Sequence, residues 1–255
     1  MAGNPDCPNC EGTGWRQVLR DGVTAVERCG CVETHRKDTL ADRANMPARF
    51  QTSRFENFRL PRENPIAYES LGIAMNDARV FAREYPFAPK PGILFQGSPG
   101  VGKTHLASAV LNELLDRGFE CVFFDYQNLL DRIRAGYNAA AGASDREAYR
   151  AALDTEVLLL DDLGSHRVTE WVEDTVTAII SQRYNAKKAL IVTTNLPDEA
   201  LGDSKIEKGL LAGQYHPRDT LTDRVGARAR SRLFEMCKVI RMETRDYRLR
   251  DVVRR

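Results

Sequence analysis

Long apolar runs are missing from this 255-residue chain, and none approaches the roughly 20 residues that a membrane-spanning helix requires. A spanning helix is excluded, and no membrane partner is expected. The opening residues MAGNPDCPNC have neither a basic start nor an apolar stretch, so they do not read as a secretory signal, and a cytoplasmic protein is expected. Aromatic residues are few, at 8%, yet 42% hydrophobic and 29% charged residues exclude disorder over most of the length and suit one or two globular domains. A chain this long buries about 68–75% of its surface on folding, so its core needs no covalent staples. Net charge is also nearly absent, at +1.

That small net charge hides an asymmetry. Residues 216–255 hold 12 Arg and Lys against 6 Asp and Glu, while the rest of the chain is acidic. A basic C-terminal stretch can meet the phosphates of a nucleotide or of nucleic acid. The bias of Arg over Lys, 29 to 8, is equally what a GC-rich coding sequence produces without any function.

Cysteine numbers only six, and four of these lie in the first 31 residues, as Cys7-Pro-Asn-Cys10 and Cys29-Gly-Cys31. Cys121 and Cys237 sit in apolar runs and read as core residues. In a reducing compartment the N-terminal four point to a metal site rather than to disulfides. Two close pairs separated by 18 residues offer Zn²⁺ a tetrahedron of thiolates with little loss of chain entropy. The C-x-C pair is tighter than the usual C-x₂-C, which leaves His35 as an alternative fourth ligand.

Three regions follow: a metal module at 1–45, a linker, strap and helix at 46–90, and an alternating strand–helix domain at 91–255. The segment RFQTSRFENFRLPRENP, with its two prolines, cannot be one helix and reads as a strap lying on the next domain. Ile66, Leu71, Ile73, Ala74, Ala78, Phe81 and Ala82 recur at helical spacing. Beyond Pro91, short apolar strands at 92–96, 121–125, 157–161, 189–194 and 239–242 alternate with amphipathic helices. That pattern predicts an α/β fold with a five-stranded parallel sheet between helices.

The chemistry concentrates at three strand ends. Gly97-Ser98-Pro99-Gly100-Val101-Gly102-Lys103-Thr104 is a complete G-x₄-G-K-T motif between a strand and a helix. Its backbone N–H groups and the helix start can wrap phosphates. Lys103 should reach the β- and γ-phosphates, and the Thr104 hydroxyl should ligate Mg²⁺. Gly97 through His105, with Asp161, form the expected ATP-binding set. Asp161, at the end of VLLLD, should hold Mg²⁺ through water, and Asp162 should orient the attacking water. Asn195 follows at the end of ALIVTT, where a polar side chain can stand beside the γ-phosphate. In the basic end, Arg228 and Arg232 are four residues apart and share a face if that segment is helical. A guanidinium there suits the charge that develops on a transferring phosphoryl group.

Together these segments resemble the AAA+ ATPases of the DnaC/DnaI helicase-loader type, with the transposase-helper IstB ATPases as close cousins. CPNCEGTGW…CGC resembles the metal module that precedes the ATPase in many loaders, RFENF their strap and LLLDDLG their Walker B. GARARSRLFEMCKVIRM resembles the arginine-finger segment, and DYR the sensor-2 end. The resemblance implies Lys103 and Thr104 as Walker A, Asp161 and Asp162 as Walker B, and Asn195 as sensor 1. It further implies Arg232 as a finger acting on a neighbour's ATP, Arg228 as its supporting arginine and Arg248 as sensor 2. A long connection between Asn195 and Arg228 leaves Arg224 and Arg230 open as the finger. Implied partners are a DnaB-type replicative helicase, single-stranded DNA and further copies of the chain in the ATP state. The chain ends seven residues after Arg248, so no C-terminal helical lid is expected and another protomer should close the pocket. Arg132, Arg134, Arg146 and Arg150, on the helices before Walker B, line a DNA channel in initiator-type relatives or are ordinary solvated faces. The expected function is ATP-dependent helicase loading. The alternatives are a transposition helper that binds DNA and a transposase, and a metabolic P-loop kinase.

Overall fold

The computed structural model describes residues 3–20, 22–136, 143–166, 168–198 and 220–244. A hairpin of β1 (Trp15–Arg20) and β2 (Val23–Arg28) is followed by α1 (Cys31–Arg43). Two single turns of 3₁₀ helix, Ala48–Phe50 and Phe55–Asn57, form the strap, and α2 (Pro65–Glu84) follows. Asn64 caps α2 by accepting the Ala67 N–H at 3.2 Å, and Pro65 sits at the first helical position, where no N–H is needed. Then come β3 (Gly92–Gly97), α3 (Lys103–Asp116), β4 (Cys121–Asp125), α4 (Tyr126–Gly136), α5 (Ala143–Asp154) and β5 (Val157–Asp161). The described chain closes with α6 (Glu170–Asn185), β6 (Ala189–Thr194), α7 (Leu221–Val225), α8 (Ala227–Met236) and β7 (Cys237–Met242).

Strands β3 to β7 form one sheet in the order β4-β5-β6-β3-β7, with every neighbouring pair parallel. Strands β3, β5 and β6 are buried on both faces, which is why they read as largely unbroken apolar runs, whereas the edge strand β7 exposes Lys238. One face packs against α2 and α3, the other against α4 to α8. The last strand starts at Cys237, two residues before the apolar run that marks it in the sequence, and both predicted core thiols, Cys121 and Cys237, are buried. Of the apolar residues that mark α2, Ile66 and Ile73 are exposed, at 81% and 57%, while Ala67 lies inside. Helical spacing located the helix, but the seam that meets the sheet is narrower and built mainly from alanine.

The N-terminal region is fastened to this sheet. Ala44 and Met46 belong to the α2–α3 core, and Leu40 of α1 packs against it. Ala44 accepts the Phe123 N–H at 2.7 Å, and the Asn45 side chain donates to the Phe123 carbonyl at 3.1 Å. Edge strand β4 therefore has part of its open side paired from within the chain, which removes a template for aggregation. On the opposite face, Arg183 of α6 is fully buried and donates to the carbonyls of Ala152, Thr155, Glu156 and Ala189. It ties the end of α5 to the sheet, and burial pushes its pKa down to about 10.

Candidate nucleotide site and cysteine centre

The carboxyl ends of β3, β4, β5 and β6 converge on a cleft of about 750 Å³, walled on one side by the strap. Its floor is the loop from Gly97 to Gly102. A Cβ on Gly97 would collide with the main chain of Met242, and one on Gly102 (φ +98°) would lie 2.7 Å from the Phe58 ring. Only glycine lets strand and strap approach the loop this closely.

Lys103, the first residue of α3, is 6% exposed. Its ammonium donates to the carbonyls of Gly97 (2.7 Å) and Ser98 (2.8 Å) and to Asn195 Oδ1 (2.6 Å). The Asn195 amide in turn donates to Asp162 Oδ1 at 2.6 Å. Lys103, Asn195 and Asp162 are thus one hydrogen-bonded chain, although 92 residues separate Lys103 from Asn195. Asp161 accepts from the hydroxyls of Thr193, at 2.6 Å, and Thr104. Burial raises the pKa of both acids. For Asp161 the two hydroxyls oppose that shift, and for Asp162 the Lys103 charge does.

Other predicted residues fall differently. His105 lines the cleft, but its Nε2 faces the Arg54 carbonyl at 3.1 Å and its ring lies 5.5 Å from Phe58, so it braces the strap. Arg230, open as a finger from the sequence, is committed elsewhere: it forks onto Asp198 at 2.8 and 2.6 Å and stacks 4.2 Å from Phe234. Arg224 donates to the His166 carbonyl at 3.2 Å. Arg228 and Arg232 share one face of α8, beside a groove of about 430 Å³ with Tyr184 and Glu235, and neither lines the nucleotide cleft. Arg248 and the side chain of Arg146 lie outside the described residues. Arg132 and Arg134 lie over the rings of Phe124 and Trp171, at 5.7 and 4.7 Å, and Arg150 is exposed.

Three cleft features have no motif in the sequence reading. Asp125 ends β4 in direct register with Asp161, so a third carboxylate lines the pocket. The signal was available: FFD and LLLD end in the same way. Thr193 bonds the acid loop, and Arg49 and Arg59 of the strap stand at the cleft wall, brought there by the path of a segment with no repeat or period.

In the N-terminal region the ligand atoms of Cys7, Cys10, Cys29 and Cys31 all lie within 4.8 Å of one another. Cys7 and Cys29 sulfurs are 3.8 Å apart, and those of Cys10 and Cys31 3.4 Å. Disulfides need about 2.05 Å, whereas four sulfurs at about 2.3 Å from a tetrahedral ion stand about 3.8 Å apart. The spacing fits Zn²⁺, and His35 is not part of the cluster.

Residues 88–254 match the family described as IstB-like ATP binding protein. The chain belongs to that family. This IstB-like chain is 26% identical over 192 residues to the Bacillus subtilis (strain 168) protein YqaM, covering 70% of the chain and 59% of YqaM. It is 25% identical over 145 residues to the replicative helicase loader DnaC of Escherichia coli (strain K12), covering 57% of the chain and 56% of DnaC. The IstB-like chain thus spans less than two thirds of the length of either relative. A crystal structure of the DnaC helicase loader superposes with a TM-score of 0.60 at 29% identity, over 77% of the chain and 100% of that structure. The fold is that of AAA+ ATPases of the DnaC type. Among the described residues no helix is long and apolar enough to cross a membrane.

Proposed function

We propose that this protein hydrolyses ATP as a switch that loads a DnaB-type replicative helicase onto single-stranded DNA in the cytoplasm. The observation that carries the reading is the division of the catalytic groups. Lys103, Asp161, Asp162 and Asn195 gather in the cleft, while Arg228 and Arg232 face outward from α8. A centre divided in this way is completed when a second copy supplies its arginines, so the ATP state is an oligomer. The link to a helicase rests on the likeness to DnaC.

Within the cleft, Lys103 exchanges its carbonyl partners for the β- and γ-phosphates. Thr104 and Asp161 present hard oxygen donors in hydrogen-bond contact with each other, which suits Mg²⁺. When bound, the ion offsets the negative charge of the phosphates. Asp162 and Asn195 orient the attacking water, and Asp162 accepts its proton. Arg232, supported by Arg228, stabilises charge on the neighbour's γ-phosphate, and Arg248 serves as sensor 2.

Zn²⁺ held by the four cysteines supplies folding energy to the small module. From one face of its hairpin project Trp15, Leu19 and Val26, exposed at 54%, 75% and 61%. This is the helicase-docking end. The cysteine centre favours the loader over the transposition helper. The test is ATP hydrolysis and helicase capture by the full chain, with and without single-stranded DNA. The loader hydrolyses faster with DNA and retains the host helicase only with ATP. A transposition helper ignores the helicase, and a small-molecule kinase ignores the DNA.

A further inference from the structure

β6 continues the sheet as ALIVTT, so at its penultimate position an apolar β-branched residue would match Ile191 and Ala189 on the same face. The residue there is Thr193, and it is 1% exposed. A hydroxyl at that depth is costly unless both its donor and its acceptor capacity are used. Both are used, and the partners are the last residue of β5, Asp161, and the residue that follows it, Asp162. Thr193 Oγ1 accepts the Asp162 N–H at 2.8 Å and gives its one proton to Asp161 Oδ1 at 2.6 Å. The direction is forced, because the Asp162 amide can only donate and its neighbour's carboxylate oxygen is the remaining acceptor.

The same strand tip holds the loop by further bonds. The Leu163 N–H donates to the Thr193 carbonyl at 2.8 Å, and the Thr194 hydroxyl donates to the Leu163 carbonyl at 2.9 Å. Asn195 then reaches Asp162 from one residue further on. Asp162 has φ +57°, a conformation that costs a non-glycine residue energy and persists only where its surroundings impose it. Thr193 bonds the N–H of this residue while holding the carboxylate of the one before.

We propose that Thr193 is a positioning residue for metal-dependent nucleotide binding, holding the Asp161 carboxylate and the Asp162 backbone in one arrangement relative to Asn195. The proposal rests on the reading of the cleft as an ATPase centre. With Mg²⁺ bound, the Thr104 hydroxyl would be engaged by the ion, and Thr193 would remain as the donor that fixes how the Asp161 carboxylate is presented. Partners that orient metal ligands in this way are worth about 10–100-fold in metal affinity or activity.

The test measures binding of a fluorescent, non-hydrolysable ATP analogue to the full chain, first in EDTA and then across a Mg²⁺ titration. Thr193→Val is nearly isosteric and has no hydroxyl. It should keep the affinity seen in EDTA, which depends on Lys103 and the phosphate loop, while half-saturation by Mg²⁺ moves up about 10–100-fold. Thr193→Ser should restore the original Mg²⁺ requirement. An unchanged requirement in Thr193→Val overturns the proposal. So does an equal loss of affinity in EDTA, which would make the role structural, or a serine variant as impaired as valine. Where Thr193→Val does not fold, Thr193→Ala against Thr193→Ser carries the same comparison. If the unmutated chain gains no affinity from Mg²⁺, the ATPase reading fails with it, an outcome distinct from failure of the variants alone.

Discussion

Arg230→Ala separates a structural arginine from a catalytic one. Asp198 is 1% exposed, and the Arg230 side chain that forks onto it is 24% exposed. Removing one partner of a buried pair costs about 3–5 kcal/mol, because the remaining charge is stranded away from water. Partial exposure of the guanidinium admits some solvent, and Asp198 has a further interaction, so about 2–4 kcal/mol is the expected loss of stability. At about 2–4 °C per kcal/mol for a domain of this size, Tm falls by roughly 4–16 °C. Thermal unfolding followed by circular dichroism reads this directly. Combining Arg230→Ala with Asp198→Ala should cost less than the sum of the two single changes, with a coupling of about 0.5–3 kcal/mol. Nucleotide binding below the unfolding transition should be unaffected. If Arg230→Ala keeps its Tm and binds nucleotide but no longer hydrolyses it, the reasoning is refuted and Arg230 is the finger.

The opposite signature is expected at Arg232, on the outward face of α8, where Arg232→Ala should move Tm little yet lower hydrolysis about 10³–10⁵-fold if it acts as a finger. Mixing it with Lys103→Ala should partly restore turnover, since some intact pockets then face intact arginines; hetero-oligomers without any recovery would rule out action in trans. The purified chain should carry about one Zn²⁺, and Cys7→Ser or Cys29→Ser should release it and weaken helicase capture while the ATPase domain stays folded. Metal analysis of reduced, unchelated protein that finds no zinc would refute the centre.

The phosphate loop was legible in the sequence because its chemistry is local: eight consecutive residues contain the turn, the lysine and the hydroxyl. The sheet was legible for a related reason, since strands buried on both faces must be continuously apolar, and only its edges, such as the start of β7, were misjudged. Order along the chain also brought Asp161, Asp162 and Asn195 to adjacent strand tips, because each ends an apolar run in a parallel sheet. The paired cysteine spacing likewise anticipated a cluster, whose four sulfurs the fold then brought within 4.8 Å of one another.

Tertiary structure decided the rest. Whether an arginine of RVGARARSR is catalytic or structural depends on what lies opposite it, and the buried carboxylate facing Arg230 comes from 32 residues earlier. Linear spacing is blind to that partner. The strap joined the cleft for the same reason: its residues have no period, and tertiary contacts bring Arg49 and Arg59 to the wall, among them Phe58 against Gly102 and His105 and the Asn112 amide on the Phe50 and Ser53 carbonyls. Thr193 reads in sequence as one more β-branched strand residue. Its hydroxyl acquires a task only because parallel pairing of β5 with β6 sets it beside two acids, where a buried polar group must find its partners.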